Sequence, residues 1–278
     1  MADYLAVAAA DVGDRLRLDR EVRAIAPEGG GWRVETAVGT VAARFVVVAT
    51  GAHDRPHVPA LAGGLAPENR QIHTAEYRNP SSVADGPVIV VGAGTSGTQI
   101  AIELAASRPV FLAGRPTPEI PPVLLRRAGG LYWRFVNAVL TRRTPIGRRV
   151  AAGFHDRGAP LIGVGARQLS AAGVRRLSRF ESVGNGRPVT PEHPSAGKSV
   201  ATVVWCTGYR PDFDWVPGLP RDATGWPVHE RGVVSARPGL FFLGLPFQYA
   251  LTSALIGGVG RDARHLAEQM TQRMPTRV

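Results

Sequence analysis

Gly92, Gly94 and Gly97, in the run Gly92-Ala93-Gly94-Thr95-Ser96-Gly97, are the residues of this chain whose types and spacing speak most directly of chemistry. Glycines so placed let a backbone turn tightly, approach a diphosphate, and bring a helix close to a strand. In that reading Gly92 makes the turn, Gly94 the close approach and Gly97 the helix contact, with Thr95 and Ser96 between them. Unpaired N–H groups at the positive end of the helix dipole would then hold the diphosphate. The spacing carries meaning only between a strand and a helix, and both are legible. Val88 to Val91 is a continuous β-branched run suited to a strand buried on both faces of a parallel sheet. Residues 98–106 then space Ile100, Ala101 and Leu104 as a helix does.

The next strand, Pro109 to Ala113, ends in Gly114-Arg115. An NAD site places Asp or Glu there, to accept from the ribose 2′-hydroxyl and repel a 2′-phosphate. Here the acid is absent and Arg115 stands beside its place, where a guanidinium can grip a phosphate through two hydrogen bonds. NADPH is the expected nucleotide.

Other reactive side chains form no constellation. Cys206 is the single cysteine and lies on an apolar strand, so it reads as a buried structural thiol, and no disulfide framework or dithiol redox pair is possible. A lone thiol also suits a reducing cytoplasm. His53, His57 and His73 lack metal-ligand spacing, and no metal site is expected. Asp212 and Asp214 follow a turn and read as caps or surface groups. Ser96 has no recognisable His–Asp partners, which argues against a hydrolase. No catalytic residue is assigned.

The 278 residues are 44% hydrophobic, enough for a substantial core, with a formal net charge of +11. The pairs Arg126-Arg127, Arg142-Arg143, Arg148-Arg149 and Arg175-Arg176 are spaced apart and read as solvated faces. None is interleaved with aromatics as a nucleic-acid surface would be, and no nucleic-acid partner is expected. The N-terminus lacks the basic start of a secretory signal. The longest apolar stretch, Gly239 to Gly260, is interrupted by Pro246, Gln248 and several glycines, so no membrane span is expected.

These motifs need elements to position them. Tyr4 to Val12 reads as a short helix. Glu21–Ile25, Trp32–Thr36 and Thr40–Phe45 read as an antiparallel meander with glycine turns. Val46–Val48 continues as an apolar strand stopped at Thr50-Gly51. Residues 57–84 read as loop-rich, a first crossing between domains. Residues 123–150 show helical spacing throughout, 173–189 short strands and turns, and Thr202–Cys206 a second apolar strand stopped at Thr207-Gly208. Leu240–Leu243 is the last strand, and residues 251–270 a closing helix. The class is α/β, with one nucleotide domain inserted into another.

Four segments in this order, VVVATGAHDRPHVP (46–59), IHTAEYRNP (72–80), VVGAGTSG (90–97) and VVWCTGYRPDFDW (203–215), are joined by a closing PGLFFLGL…SALIGGVGRDARHLA. Together they resemble the flavin-containing monooxygenase superfamily, including YUCCA-like and Baeyer–Villiger-related bacterial NAD(P)/FAD-dependent oxidoreductases. The resemblance implies a two-dinucleotide-binding-domain flavoprotein. Its Rossmann-like NADPH domain (84–208) would be inserted in an FAD-type domain (1–83 and 209–278). It implies hydride transfer from NADPH to FAD, then oxygen transfer from dioxygen to a small organic substrate. Gly92, Gly94, Thr95, Ser96, Gly97 and Arg115 would hold NADPH. Thr50 and Gly51, with Thr207 and Gly208, would lie where strand ends meet the cofactors, and the Leu255 and Ile256 amides would face the flavin. His73 and Tyr77 fall in the linker motif and would organise domain contact. A homo-oligomer is compatible.

Three departures qualify this. The family's own FAD strand, GxGxxG turn and helix do not stand before residue 46, so the expectation is an N-terminally incomplete FAD domain with compromised flavin binding. Pro67 and Asn69 stand where the linker motif carries Phe and Gly, and Thr95 where relatives carry Asn. The alternatives are an inactive or fragmentary NADPH-binding module and a flavin dehydrogenase without peroxide stabilisation.

Overall fold

A computed structural model describes residues 2–154, 159–189 and 200–274. It divides into two compact units, Thr50–Pro211 with Leu243–Ala263, and Met1–Ala49 with Asp212–Phe242 and Arg264–Val278. This division differs from the 83/84 and 208/209 boundaries drawn from sequence.

The larger unit is built on a five-stranded sheet in the order Arg175–Leu177, Val110–Ala113, Val88–Val91, Thr202–Trp205, Arg70–His73. Every neighbouring pair is parallel. Val88 to Val91 are all buried because side chains alternate between two covered faces. Val88 and Val90 pack with Leu112, Val204 and the helix residues Ile100, Ala101 and Leu104. Ile89 and Val91 pack on the other face with Phe111, Val203, Trp205 and Phe180. The helix is Thr95–Ala105, three residues earlier than its apolar spacing suggests, because it begins directly on the glycine turn.

Two expectations change here. Residues 57–84 are not simply a loop. Arg70–His73 pairs residue for residue with Thr202–Trp205 and closes one edge of the parallel sheet, within the segment assigned from sequence to the FAD-type domain. Arg175–Leu177 likewise closes the opposite edge. Residues 123–150 form two helices, Pro122–Val139, kinked where the backbone of Ala128 is non-helical, and Pro145–Ala152. Thr144 starts the second, its hydroxyl accepting from the Gly147 N–H at 2.9 Å, and Pro145 fits the first helical position. Asn137 of the first accepts from the Thr252 hydroxyl at 2.5 Å.

In the smaller unit the meander forms as expected, with Val22–Glu28, Gly31–Thr36 and Gly39–Ala43 antiparallel. Val46–Val48 pairs in parallel with Leu240–Phe242, whose side chains are wholly buried. Trp32 anchors this core, its indole N–H donating to the Pro238 carbonyl at 3.1 Å. The closing helix is Ile256–Gln272, which belongs to the larger unit up to Ala263 and to the smaller unit from Arg264; the residues before it, in the larger unit, form turns instead, with the Leu255 N–H donating to the Thr252 carbonyl at 2.9 Å. No described helix is long and apolar enough to cross a membrane.

Candidate functional site

In the parallel sheet the chain moves from Val88–Val91 outward to Val110–Ala113 and Arg175–Leu177, then returns to the other side of Val88–Val91 as Thr202–Trp205. Strand order therefore reverses between Val88–Val91 and Thr202–Trp205. In open α/β sheets the crevice beyond the carboxyl ends at such a reversal receives the ligand. Two expected motifs meet there, Gly92–Gly97 after one strand and Cys206-Thr207-Gly208 after the other.

The turn is fixed from both sides. The Gly92 N–H donates to the Ala113 carbonyl at 2.8 Å, and the Cys206 N–H to the Val91 carbonyl at 2.7 Å. Gly92 has φ +108°, and a Cβ there would lie 2.2 Å from the Cys206 carbonyl oxygen. A Cβ on Gly97 would lie 1.8 Å from the Gly92 carbonyl oxygen, so the helix sits directly on the turn. Gly94 differs. No atom lies within 4 Å of a Cβ built on it, and as the residue starting the helix it supplies no side-chain cap. Its missing side chain leaves open space in front of an uncapped helix N-terminus, the form a dinucleotide diphosphate requires. Thr95 is half-buried and Ser96 exposed beside it.

Thr117 donates its hydroxyl to the Ala93 carbonyl at 2.8 Å and ties the segment after the second strand back to the glycine turn. Arg115 is exposed at the end of that strand. Arg176, from the edge strand, donates from Nη2 to the Gly114 carbonyl at 2.9 Å, the residue just before Arg115. Burial lowers the Arg176 pKa. Neither Thr117 nor Arg176 was identified from the sequence, since their relevance depends on which strand borders which.

At the other strand end the Thr207 hydroxyl donates to the His57 carbonyl, and the Gly208 carbonyl accepts from the His57 N–H at 2.9 Å. His73, 2% exposed, also reaches Gly208, with Nε2 3.0 Å from its carbonyl oxygen. The Ala75 N–H donates to His73 Nδ1 at 3.1 Å, which fixes the neutral tautomer with the proton on Nε2. The pKa of His73 is lowered, chiefly by burial, against the opposing pull of the Gly208 carbonyl and Glu76. That of His57 is also lowered, by burial first and then by Arg210, whose Nη2 lies 3.1 Å from His57 Nε2. Tyr209 packs edge-on against both His53 and His73. Tyr77 donates to Glu103 at 2.9 Å, so the linker motif is bonded to the helix that follows the glycine turn.

Thr50 and Gly51 lead into the segment whose His53 packs against Tyr209 and whose His57 bonds to Gly208. Thr50 is exposed, Gly51 half-buried, and Leu255 and Ile256 expose their side chains. The Leu255 amide is already engaged by Thr252. Among the described residues no cluster of three His, Cys, Asp or Glu could hold a metal. Val88–Ala105 is, among those residues, the one strand–glycine turn–helix, and it can cradle one dinucleotide diphosphate.

The family model for pyridine nucleotide-disulphide oxidoreductases matches residues 1–115. An uncharacterised CzcO-like oxidoreductase of Geobacillus kaustophilus is 36% identical over 270 residues, which cover 96% of this chain and 76% of the relative. The CzcO oxidoreductase of Bacillus subtilis is 32% identical, over 81% of this chain and 64% of its own length. Among solved structures, a variant of the flavin monooxygenase of Stenotrophomonas maltophilia superposes with a TM-score of 0.72 at 22% identity, covering 97% of this chain and 75% of that one. The Geobacillus match, sustained across nearly the whole chain, carries the assignment. The chain belongs to the CzcO-like oxidoreductases of the flavin-containing monooxygenase superfamily, whose fold has two dinucleotide-binding domains.

Proposed function

We propose that the chain is the NADPH-handling body of a flavin-dependent monooxygenase acting on a small organic substrate in the cytoplasm. The observation that carries this reading is the open space at Gly94 before an uncapped helix N-terminus, at the strand-order reversal. The Gly94, Thr95, Ser96 and Gly97 backbone would hold the diphosphate, and Gly92 keeps the turn tight enough to present it. Arg115 would pair with the ribose 2′-phosphate, which favours NADPH over NADH. FAD, when bound, supplies the redox and oxygen chemistry. Thr207 and Gly208 bound the nucleotide crevice on its far side, the neutral His73 holding the Gly208 carbonyl and the His57 carbonyl accepting from the Thr207 hydroxyl. His73 has both ring nitrogens occupied by backbone groups, so its part is positioning and not proton transfer.

Titration with NADPH and NADH, followed by nicotinamide fluorescence, tests the reading. Tighter binding of NADPH, reversed or abolished in Arg115→Ala, supports it; equal affinity for the two nucleotides rejects the role of Arg115. Coupling of NADPH consumption to dioxygen uptake and oxygenated product separates a monooxygenase from a dehydrogenase that yields hydrogen peroxide. Nucleotide binding with no NADPH oxidation would favour a binding module.

A further inference from the structure

The two helices Pro122–Val139 and Pro145–Ala152 repeat one surface pattern. In the first, Leu131 and Phe135 are 71% and 56% exposed and stand one turn apart on the same face, with exposed Arg134 between them. In the second, Ile146 and Val150 are 58% and 38% exposed at the same spacing, with exposed Arg149 between them. The opposite side of the first helix is anchored, with Val136 1% exposed and Asn137 bonded to Thr252. These apolar pairs are therefore not the inward face of a poorly packed helix.

The charge of the segment is as one-sided as its surface. Residues 120–154 contain seven arginines and no aspartate or glutamate, in a chain with a formal net charge of +11. Arg142 is committed to the protein, with Nε donating to the Phe247 carbonyl at 2.6 Å, but Arg134, Arg143 and Arg149 are exposed. Apolar side chains interleaved with arginine on short helices are the composition of a segment that lies in the plane of a membrane interface. A phosphodiester backbone would satisfy the arginines but would leave Leu131, Phe135 and Ile146 in water. A second copy docked by two-fold symmetry would set arginine against arginine. The surface is too short and too basic to span a bilayer.

We propose that these two helices dock the protein on an anionic lipid surface, the apolar pairs entering the headgroup boundary and the arginines pairing with lipid phosphates. The test is flotation of the full chain with phosphatidylcholine vesicles and with vesicles in which about a third of the lipid is phosphatidylglycerol. Binding to the second alone, weakened by high salt, is expected. Arg134→Gln and Arg149→Gln should each weaken it about fivefold. Leu131→Glu with Phe135→Glu should abolish it while leaving NADPH titration and circular dichroism unchanged, since both side chains are exposed. Equal binding to both vesicles, or to neither, would overturn the proposal. So would a concentration-dependent dimer lost in the Leu131→Glu variant, or preferential binding to a random DNA duplex that survives the double substitution.

Discussion

Gly94 and Gly92 stand two residues apart in one turn, yet the protein itself demands glycine only at Gly92. A Cβ at Gly92 would lie 2.2 Å from the Cys206 carbonyl oxygen in a backbone at φ +108°, whereas one at Gly94 would touch nothing within 4 Å. Gly92→Ala is therefore a folding defect, expected to cost about 3 kcal/mol or more from strain and displaced backbone. Gly94→Ala should leave the melting temperature within a few degrees of wild type while weakening NADPH binding tenfold or so, as the methyl fills the diphosphate's approach. Thermal denaturation beside nucleotide titration reads both. A Gly94→Ala protein that binds NADPH normally would remove the turn from the site.

Nucleotide preference should depend on two arginines in different ways. Arg115 is exposed and free to meet a phosphate, while Arg176 spends one N–H on the Gly114 carbonyl and so shapes the backbone that presents Arg115. Loss of a charged, bidentate contact costs about 1.5–3 kcal/mol, roughly ten- to a hundredfold in affinity. Arg115→Ala should lose that much for NADPH and almost nothing for NADH. Arg176→Ala should show a smaller loss of the same selectivity, and restoring charge with Arg176→Lys should recover only part of it, because an ammonium lacks the planar fork. Equal losses for both nucleotides in either variant would mean a general structural effect.

The central unit was legible because its signals are local. Val88–Val91, the three glycines and the Ile100–Leu104 spacing lie within eighteen residues, and each bears on the same conclusion. Arg70–His73 and Arg175–Leu177 were not legible as sheet edges. Each is a strand of three or four residues, half of it polar, and only its pairing with a distant neighbour gives it regular structure. The break at Thr144-Pro145 did carry a signal, a capping threonine before a proline, but the continuous apolar spacing on both sides masked it. Arg176 and Thr117 escaped for the same reason as the edge strands: their partners, Gly114 and Ala93, are set by strand order.

The clasp at Gly208 makes stability depend on pH. His73 is held neutral, with Nδ1 accepting from the Ala75 N–H and Nε2 donating to the Gly208 carbonyl, and its pKa lies below the ordinary 6.5. His57 is shifted in the same direction. The unfolded chain then binds more protons than the folded one between the lowered values and 6.5. This contribution to stability is fully present above 6.5 and is lost as pH falls from there towards the folded-state values. Urea denaturation at pH 7.5 and below 6 should show the loss. His73→Ala should cost about 2–4 kcal/mol at neutral pH and make the remaining slope shallower. An unchanged slope would show that His73 does not titrate across this range.

Cys206 follows the neighbouring strand and lies against the glycine turn, its carbonyl facing Gly92 and its thiol pushed up to about 12 by burial, against a smaller opposing contribution from a hydrogen bond with Thr74. At pH 8 the thiolate would be on the order of one part in ten thousand of the native protein, so alkylation requires opening of the strand end. Iodoacetamide labelling at pH 8 should be slow in the native state and rapid in denaturant. Saturating NADPH should slow it further, because a ligand that binds only the closed turn lowers the open population by mass action. Native labelling as fast as that of a free thiol, or labelling indifferent to NADPH, would separate the Cys206 strand end from the nucleotide site.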